Sequence, residues 1–242
     1  MNSHRPIRFN WLLILGLILI IIFVLKITIM EKHQMRTIQQ SQILATITLP
    51  KPIYHSDVSI EQTLLARRSV RIYQNSPLTL QQVSQLLWAA QGITSPHGGR
   101  TAPSAGALYP LEIYLICGNV TGLSAGIYHY VPATQSIEFI AKGDKRKDLA
   151  SAAFNQTWVK NAAIDIVIVG VFNRTESKYG ARGDRYVYME AGHAAENIFL
   201  QAVPLKLGTV TVGAFDDASI NKILNVSNDY HPIYIMPVGK IS

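Results

Sequence analysis

Three arginines and a serine fall within five consecutive positions, Arg67, Arg68, Ser69 and Arg71, in the stretch ARRSVRIY. Guanidiniums so close repel one another, and a multiply charged oxyanion among them would relieve that repulsion through charge-assisted hydrogen bonds. A solvated basic helix end that complements the helix dipole is the other reading, and these residues alone leave both open. Further on, RTAPSAGALYP presents Pro103, Ser104, Ala105, Gly106 and Leu108 with very little side-chain bulk. Such a backbone can come close to a flat heterocycle and offer N–H and C=O groups to its edge, or it can be a loop that simply needs Gly and Pro. VGAFDD and the C-terminal PVGK form a third group: Gly213 and Gly239 each follow an apolar strand, and Lys240 is either one more cation beside the last strand or a solvated tail residue.

Other chemistries lack their residues. No Ser-His-Asp order, HExxH, P-loop or GxGxxG pattern occurs. The single cysteine, Cys117, lies in the apolar run LEIYLIC, which rules out a disulfide framework and a thiolate metal site by count and reads as a buried thiol. No metal is expected. The net charge of +7 is spread along the chain without a nucleic-acid signature, so nucleic acid is not an expected partner.

Residues 11–30, WLLILGLILIIIFVLKITIM, carry one charge, Lys26, over a length that spans a bilayer core. They read as an uncleaved single-pass membrane anchor within residues 1–30, with Lys26 and Trp11 suited to the interfaces. Arg5 and Arg8 on one side are matched by Lys26, Lys32 and Arg36 on the other, so the orientation stays open. Residues 31–58 read as a linker and 59–242 as one folded domain.

Within that domain Ser59 caps a short helix with Ile60, Leu64 and Leu65 on one face, and Thr79 caps LQQVSQLLWAAQ, which Gly92 ends. LEIYLIC is a buried strand, and GIYHY and SIEFIA form a hairpin around 132–135. AAIDIVIVGVF is the strongest central strand. YVYMEAGHAAENIFLQAVPL is a buried helix with Tyr188, Ala191, Ala195, Ile198, Phe199 and Ala202 at helical spacing, limited by Pro204, and His193 on it reads as a core or interface histidine. GTVTVGAF and HPIYIMPVG are further strands separated by the helix DDASINKILN. Strands and helices do not alternate regularly, which makes the fold class α+β.

Taken in order, RRSVRIY, PSAGALYPLEIYL, KYGARGDRYVYMEAGHAAENIFLQA, GTVTVGAFDD and PVGK resemble the flavin-dependent nitroreductase family, and within it the SagB-type, thiazole/oxazole oxidase branch, over about residues 60–240. The resemblance implies an α+β sandwich that binds FMN at a homodimer interface. It assigns Arg67, Arg68, Ser69 and Arg71 to the phosphate, ribityl chain and pyrimidine edge, with Lys240 near the phosphate. Pro103, Ser104, Ala105, Gly106 and Leu108 would lie against the isoalloxazine ring, bordered also by Gly213, Ala214 and Phe215. Azoline-oxidising members use a Lys-Tyr pair to remove the substrate proton, and Lys178 and Tyr179 match it as candidate catalytic residues. Asp184, where an aromatic residue is expected, and Lys206, inside a normally apolar LKLG, depart from the pattern and bear on substrate preference.

The expected function is therefore an FMN-dependent oxidoreductase that transfers a hydride between flavin and a small organic or peptide-derived substrate, with NAD(P)H as donor or an external acceptor. A flavin-binding protein without turnover and an azoline dehydrogenase in peptide heterocycle formation are the alternatives.

Overall fold

The computed structural model describes residues 21, 23–26 and 44–241. In chain order the folded unit contains β1 (Ala45–Thr48), α1 (Ile60–Ala66), β2 (Leu78–Thr79), α2 (Leu80–Gln91), β3 (Leu111–Cys117), β4 (Val120–Thr121), β5 (Gly126–Val131) and β6 (Ser136–Lys142). It continues with α3 (Arg146–Ala152), α4 (Thr157–Asn161), β7 (Ile164–Gly170), α5 (Asn173–Tyr179), α6 (Gly183–Ala202), β8 (Leu207–Thr209), α7 (Asp217–Leu224) and β9 (His231–Lys240).

A strand such as IDIVIVG, with almost no polar alternation, must be covered on both faces. All seven residues of β7 are buried. The strand pairs antiparallel with β3 on one side, Tyr114 opposite Val167, and with β9 on the other, Val167 opposite Ile235. The full sheet runs β1-β6-β5-β3-β7-β9-β8, and every neighbouring pair in it is antiparallel. Ile113, Leu115, Ile166 and Ile168 face one core with residues of α2 and α6, whereas Tyr114, Ile116, Val167 and Val169 face a second core with residues of α3, α4 and α7. The result is an α+β sandwich, as expected, because helices cover an antiparallel sheet.

Local signals set the helix starts. Ser59 with Gln62, and Thr79 with Gln82, each form a reciprocal capping box, and Asp216 caps α7. The hairpin β5–β6 turns through a short 3-10 segment at Pro132–Thr134. Cys117 is buried, and burial pushes its thiol up to about 12.

Three expectations change. The folded unit begins at Leu44, inside the stretch read as a linker, because β1 pairs with β6 and Leu49 is buried in the first core. Tyr188, expected on the buried face of α6, is exposed; His193 is exposed as well, and the shared face of Ile60, Leu64 and Leu65 on α1 is exposed in this chain. GTVTVGAF gives only the three-residue β8 and an isolated bridge from Val212 to Ile235. The apolar span expected over 11–30 lies, apart from helical residues 21 and 23–26, outside the described residues, as does the first part of the linker, 31–43. Among the described residues no helix is long and apolar enough to cross a membrane.

Asp165 is a polar residue at the second position of β7, fully buried, and neither carboxylate oxygen has a hydrogen-bond partner. Burial pushes its carboxyl well above the usual range, and the Arg146 guanidinium offsets only part of this. The folded state thus keeps a proton that the unfolded chain releases, and stability falls as pH rises above the ordinary carboxylate pKa. Asp165→Asn is expected to gain on the wild type from about pH 4 towards neutrality, by at most about 1.4 kcal/mol per pH unit. Urea unfolding across that range checks this, and parallel curves would contradict it.

Candidate functional site

The sequence-predicted residues gather at three places. The first is an edge rich in cations. Residues 69–74 run beside β8 and the end of β9: Ser69 bridges to Thr209, the Val70 amide donates to the Thr209 carbonyl at 2.8 Å, and the Gln74 amide donates to the Lys240 carbonyl at 2.9 Å. Gly239 permits this close approach, since a Cβ there would lie 2.7 Å from the Tyr73 Cβ. The Tyr73 hydroxyl is within reach of the carbonyls of Val70 (2.7 Å) and Pro237 (3.2 Å), and burial pushes its phenol well up, so it stays a donor.

The backbone at this edge therefore holds Arg67, Arg68, Ser69, Arg71 and Lys240 in one neighbourhood. Arg67 lies over the Phe199 ring at 5.2 Å, with Glu196 at 3.9 Å, and Arg71 lies over the Trp158 ring at 5.4 Å. Arg68 Nη1 donates to the carbonyls of Leu65 (3.0 Å) and Arg67 (2.6 Å) at the end of α1. Among the described residues, no carboxylate forms an ion pair with Arg68, Arg71 or Lys240. Thr209, beside Ser69, keeps a buried hydroxyl without a partner.

The second place is the turn of small residues. Ala105–Ala107 form a single 3-10 turn, and Gly106 (φ 63), Ala107 (φ 55) and Tyr109 (φ 47) all take left-handed backbone. Pro103 is exposed and Leu108 half-buried. A left-handed residue other than glycine costs about 1–2 kcal/mol, so something must hold Tyr109. Three contacts do: its amide donates to Ser104 Oγ at 2.9 Å, its carbonyl accepts from Arg174 Nη1 at 3.1 Å, and the Arg100 guanidinium covers its ring at 4.3 Å. Lys178 and Tyr179, at the end of α5, arrive at the same turn. A Cβ on Gly106 would stand 2.9 Å from both Lys178 Nζ and Tyr179 Oη.

The third place is the loop 213–216. Gly213 and Ala214 are exposed, the Ala214 carbonyl accepts from Gln156 at 3.0 Å, and Phe215 packs on the second core. Gln156 immediately precedes α4, the helix that carries the Trp158 under Arg71, so this loop and the cationic edge adjoin a common helix. The turn lies elsewhere. Ser104 faces Glu190 and Arg67 faces Phe199, nine residues further along α6, or roughly 14 Å of helix. A cavity of about 120 Å³ lined by Arg67, Arg68, Phe199 and Thr209 is smaller than the roughly 300–1,000 Å³ of ordinary ligand pockets.

Spacing alone did not identify the residues that brace the turn. Arg174 Nη2 donates to Glu112 Oε1, whose other oxygen lies 2.7 Å from His129 Nε2, and His129 Nδ1 is 3.5 Å from Glu138. Burial opposes ionisation of Glu112, but His129 and Arg174 outweigh it and hold the carboxyl below the usual range; burial likewise opposes charging His129, and Glu112 and Glu138 outweigh it to raise its pKa. These groups come from three strands and a helix, so no local motif marks them. Glu190 was more legible, because it shares the buried face of α6 with Val187, Ala191 and Ala194 and is a charge at an apolar position. Of the two departures from the family pattern, Lys206 occupies an exposed left-handed turn after α6, and Asp184 shares a hydrogen bond with Glu176 that raises the Glu176 pKa.

A nitroreductase family model matches residues 64–240. MJ1384 of Methanocaldococcus jannaschii, which carries a provisional nitroreductase name, is 46% identical over 184 residues, covering 76% of this chain and 92% of that protein. The chain belongs to the nitroreductase family. A crystal structure from Ralstonia eutropha with a similar provisional name superposes with a TM-score of 0.72 at 30% identity, over 81% of this chain and 90% of the other. The microcin B17-processing protein McbC of Escherichia coli is 27% identical over 167 residues, 65% of this chain and 60% of McbC. The McbBCD microcin synthetase complex shares the fold, with a TM-score of 0.63 at 24% identity over 81% of this chain and 78% of the matched one.

Gly106→Ala would add a Cβ at a left-handed position already faced by two polar side-chain ends. It is expected to cost about 1 kcal/mol in denaturant unfolding and to displace Lys178 or Tyr179. A crystal structure of the variant with both side chains unmoved would contradict the second half.

Proposed function

We propose that this chain is an FMN-dependent oxidoreductase that works as a homodimer. The observation that carries the reading is the cationic edge: Arg68, Arg71 and Lys240 are held together by backbone pairing and are not neutralised by any described carboxylate. A phosphate dianion is the natural counter-charge for such a set. The small-residue turn suits a flat ring, since Gly106 leaves room for Lys178 and Tyr179 at its surface.

On this reading Arg67, Arg68, Ser69, Arg71 and Lys240 hold the phosphate, ribityl chain and pyrimidine edge, and Pro103 to Gly106 with Leu108 line the ring. Gly213, Ala214 and Phe215 border it. When bound, FMN supplies the hydride chemistry, with NAD(P)H or an organic substrate as donor. Lys178 and Tyr179 would hold or move the substrate proton beside the turn.

The cationic edge and the turn lie roughly 14 Å apart along one helix, which favours a site completed by the turn of a second copy. α6 offers a continuous exposed stripe for that copy, Arg185, Tyr188, Met189, Gly192, His193 and Glu196, and Ile60, Leu64 and Leu65 of α1 add exposed apolar surface. A monomer in sedimentation at micromolar concentration would contradict the dimer.

A second reading within the class is azoline dehydrogenation on a peptide, favoured by the Lys178–Tyr179 pair at the turn and by the likeness to McbC, a microcin B17-processing protein. Flavin binding without turnover is the alternative outside catalysis. Residues 11–30 are proposed as a single-pass anchor, which membrane fractionation of the full chain tests.

The purified full chain is expected to be yellow and to bleach with NADH, NADPH or an organic donor. Arg68→Ala and Arg71→Ala should each weaken FMN retention roughly tenfold to a hundredfold, the cost of a hydrogen bond to a charged group. Lys178→Ala should leave retention within a few-fold and cut turnover by roughly two to four orders of magnitude. Equal FMN affinity in all three variants would overturn the assignment of the arginines.

A further inference from the structure

Arg174 ties α5 to the turn of small residues. It stands second in α5, and its guanidinium forks: Nη1 donates to the Tyr109 carbonyl at 3.1 Å and Nη2 donates to Glu112 Oε1. Lys178 lies four residues further on, one helical turn away on the same side, and it meets the turn at Gly106, three residues before Tyr109. The helix and the turn therefore lie side by side in opposite directions, hydrogen-bonded at the Arg174 end and in close approach at the Lys178 end. α5 is seven residues long and has no side-chain cap, so its placement depends on such anchors.

The fork is planar and rigid, so the direction of Nη1 follows from what holds Nη2. Glu112 holds it, and the sheet holds Glu112. His129 stands opposite Tyr114 on β3 and opposite Glu138 on β6, which sets Glu112, His129 and Glu138 in a row across three strands. Glu112 Oε2 is 2.7 Å from His129 Nε2, His129 Nδ1 is 3.5 Å from Glu138 Oε2, and the Tyr114 and His129 ring centres are 5.0 Å apart. Burial opposes ionisation of Glu112, but His129 and Arg174 outweigh it, which leaves both carboxylate oxygens as acceptors. Position is thus passed from three paired strands to one guanidinium, and from it to the turn and α5.

We propose that Glu112 is a positioning residue which, through the Arg174 fork, holds the turn Ser104–Tyr109 and the Lys178–Tyr179 end of α5 as one unit. The joint hold rests on this geometry; its bearing on a bound ring and on a substrate proton rests on the flavin reading. Without the fork, Tyr109 loses one of the three contacts that keep it at φ 47, and α5 loses its side-chain bond to the turn. Both segments should then loosen together, whereas loss of a glutamate that served only to pair charges on the sheet would loosen neither.

Hydrogen exchange of the full chain without added FMN, read by mass spectrometry at about pH 7, tests this. The reporting amides are those bonded within the turn, Ala107, Leu108 and Tyr109, and those of α5 and its cap Gly180, with β7 as the control for global opening. In Arg174→Ala, protection should fall roughly tenfold in both segments, the loss of a hydrogen bond from a charged group, and by more than any change in β7. Glu112→Ala should do the same. Glu112→Gln should recover most of the protection, because its amide oxygen still accepts from Nη2 and its amide nitrogen can donate to His129. The double variant Glu112→Ala/Arg174→Ala should fall no further than Arg174→Ala alone, since Glu112 acts through the arginine. Loss confined to one segment, wild-type protection in Glu112→Ala, no recovery in Glu112→Gln, or losses that add in the double variant would each overturn the proposal. Should Arg174→Ala not fold, Arg174→Lys serves, as an ammonium keeps the charge without the fork: loss in both segments supports the proposal, and wild-type protection in both overturns it. FMN titration keeps the two readings apart. If the wild type binds no FMN, the flavin reading fails and the exchange result stands; if FMN binds, Arg174→Ala should alter the visible circular dichroism of the bound flavin, and an unchanged spectrum would overturn the bearing on the ring.

Discussion

Burial of β7 on both faces is the constraint on which the rest of the structure depends. A seven-residue strand with every position buried needs hydrogen-bonded neighbours on both edges and apolar layers above and below, and β3, β9, α6 and the α3–α4–α7 layer supply them. Three functional segments continue from β7 or from one of these neighbours. The turn 103–109 leads into β3, Lys178 and Tyr179 follow β7 by way of α5, and Lys240 ends β9. Antiparallel pairing thus decides which chemistry-bearing residues can meet.

The site residues are held by two different kinds of force. At the cationic edge, backbone hydrogen bonds and the contact of Tyr73 with Gly239 set the positions, while the charges themselves oppose being gathered. At the turn the opposing term is backbone strain, with three left-handed residues in four, and Arg174 of α5 and Arg100 of the segment after α2 hold it in place. In both places the fold works against a local cost.

Much of this was legible from residue types. Ser59 and Thr79 announced their helices because a capping box is local, and LEIYLIC and IDIVIVG read as doubly buried strands because they lack polar alternation. β1 was missed since ATIT is short, weakly apolar and at a sheet edge, where only tertiary pairing identifies a strand. Tyr188 misled in the opposite direction, because periodicity reports an apolar face and not whether the same chain covers it. The arginines, Lys178 and the small-residue turn were visible as types and by family resemblance. Arg100, Arg174, Glu112 and His129 were not, because ion pairs between distant segments leave no trace in spacing.

The contact between Tyr73 and Gly239 also fixes where anything joined after Lys240 would emerge. That strand end is threaded between the 69–74 segment and β8, so an appended tag would leave the protein beside Arg71 and Ser69 and away from the sheet's β1 edge. A purification handle rich in carboxylates there would offer those guanidiniums a tethered counter-ion at high local concentration. Expression designs for this chain therefore do better with a removable or uncharged C-terminal extension.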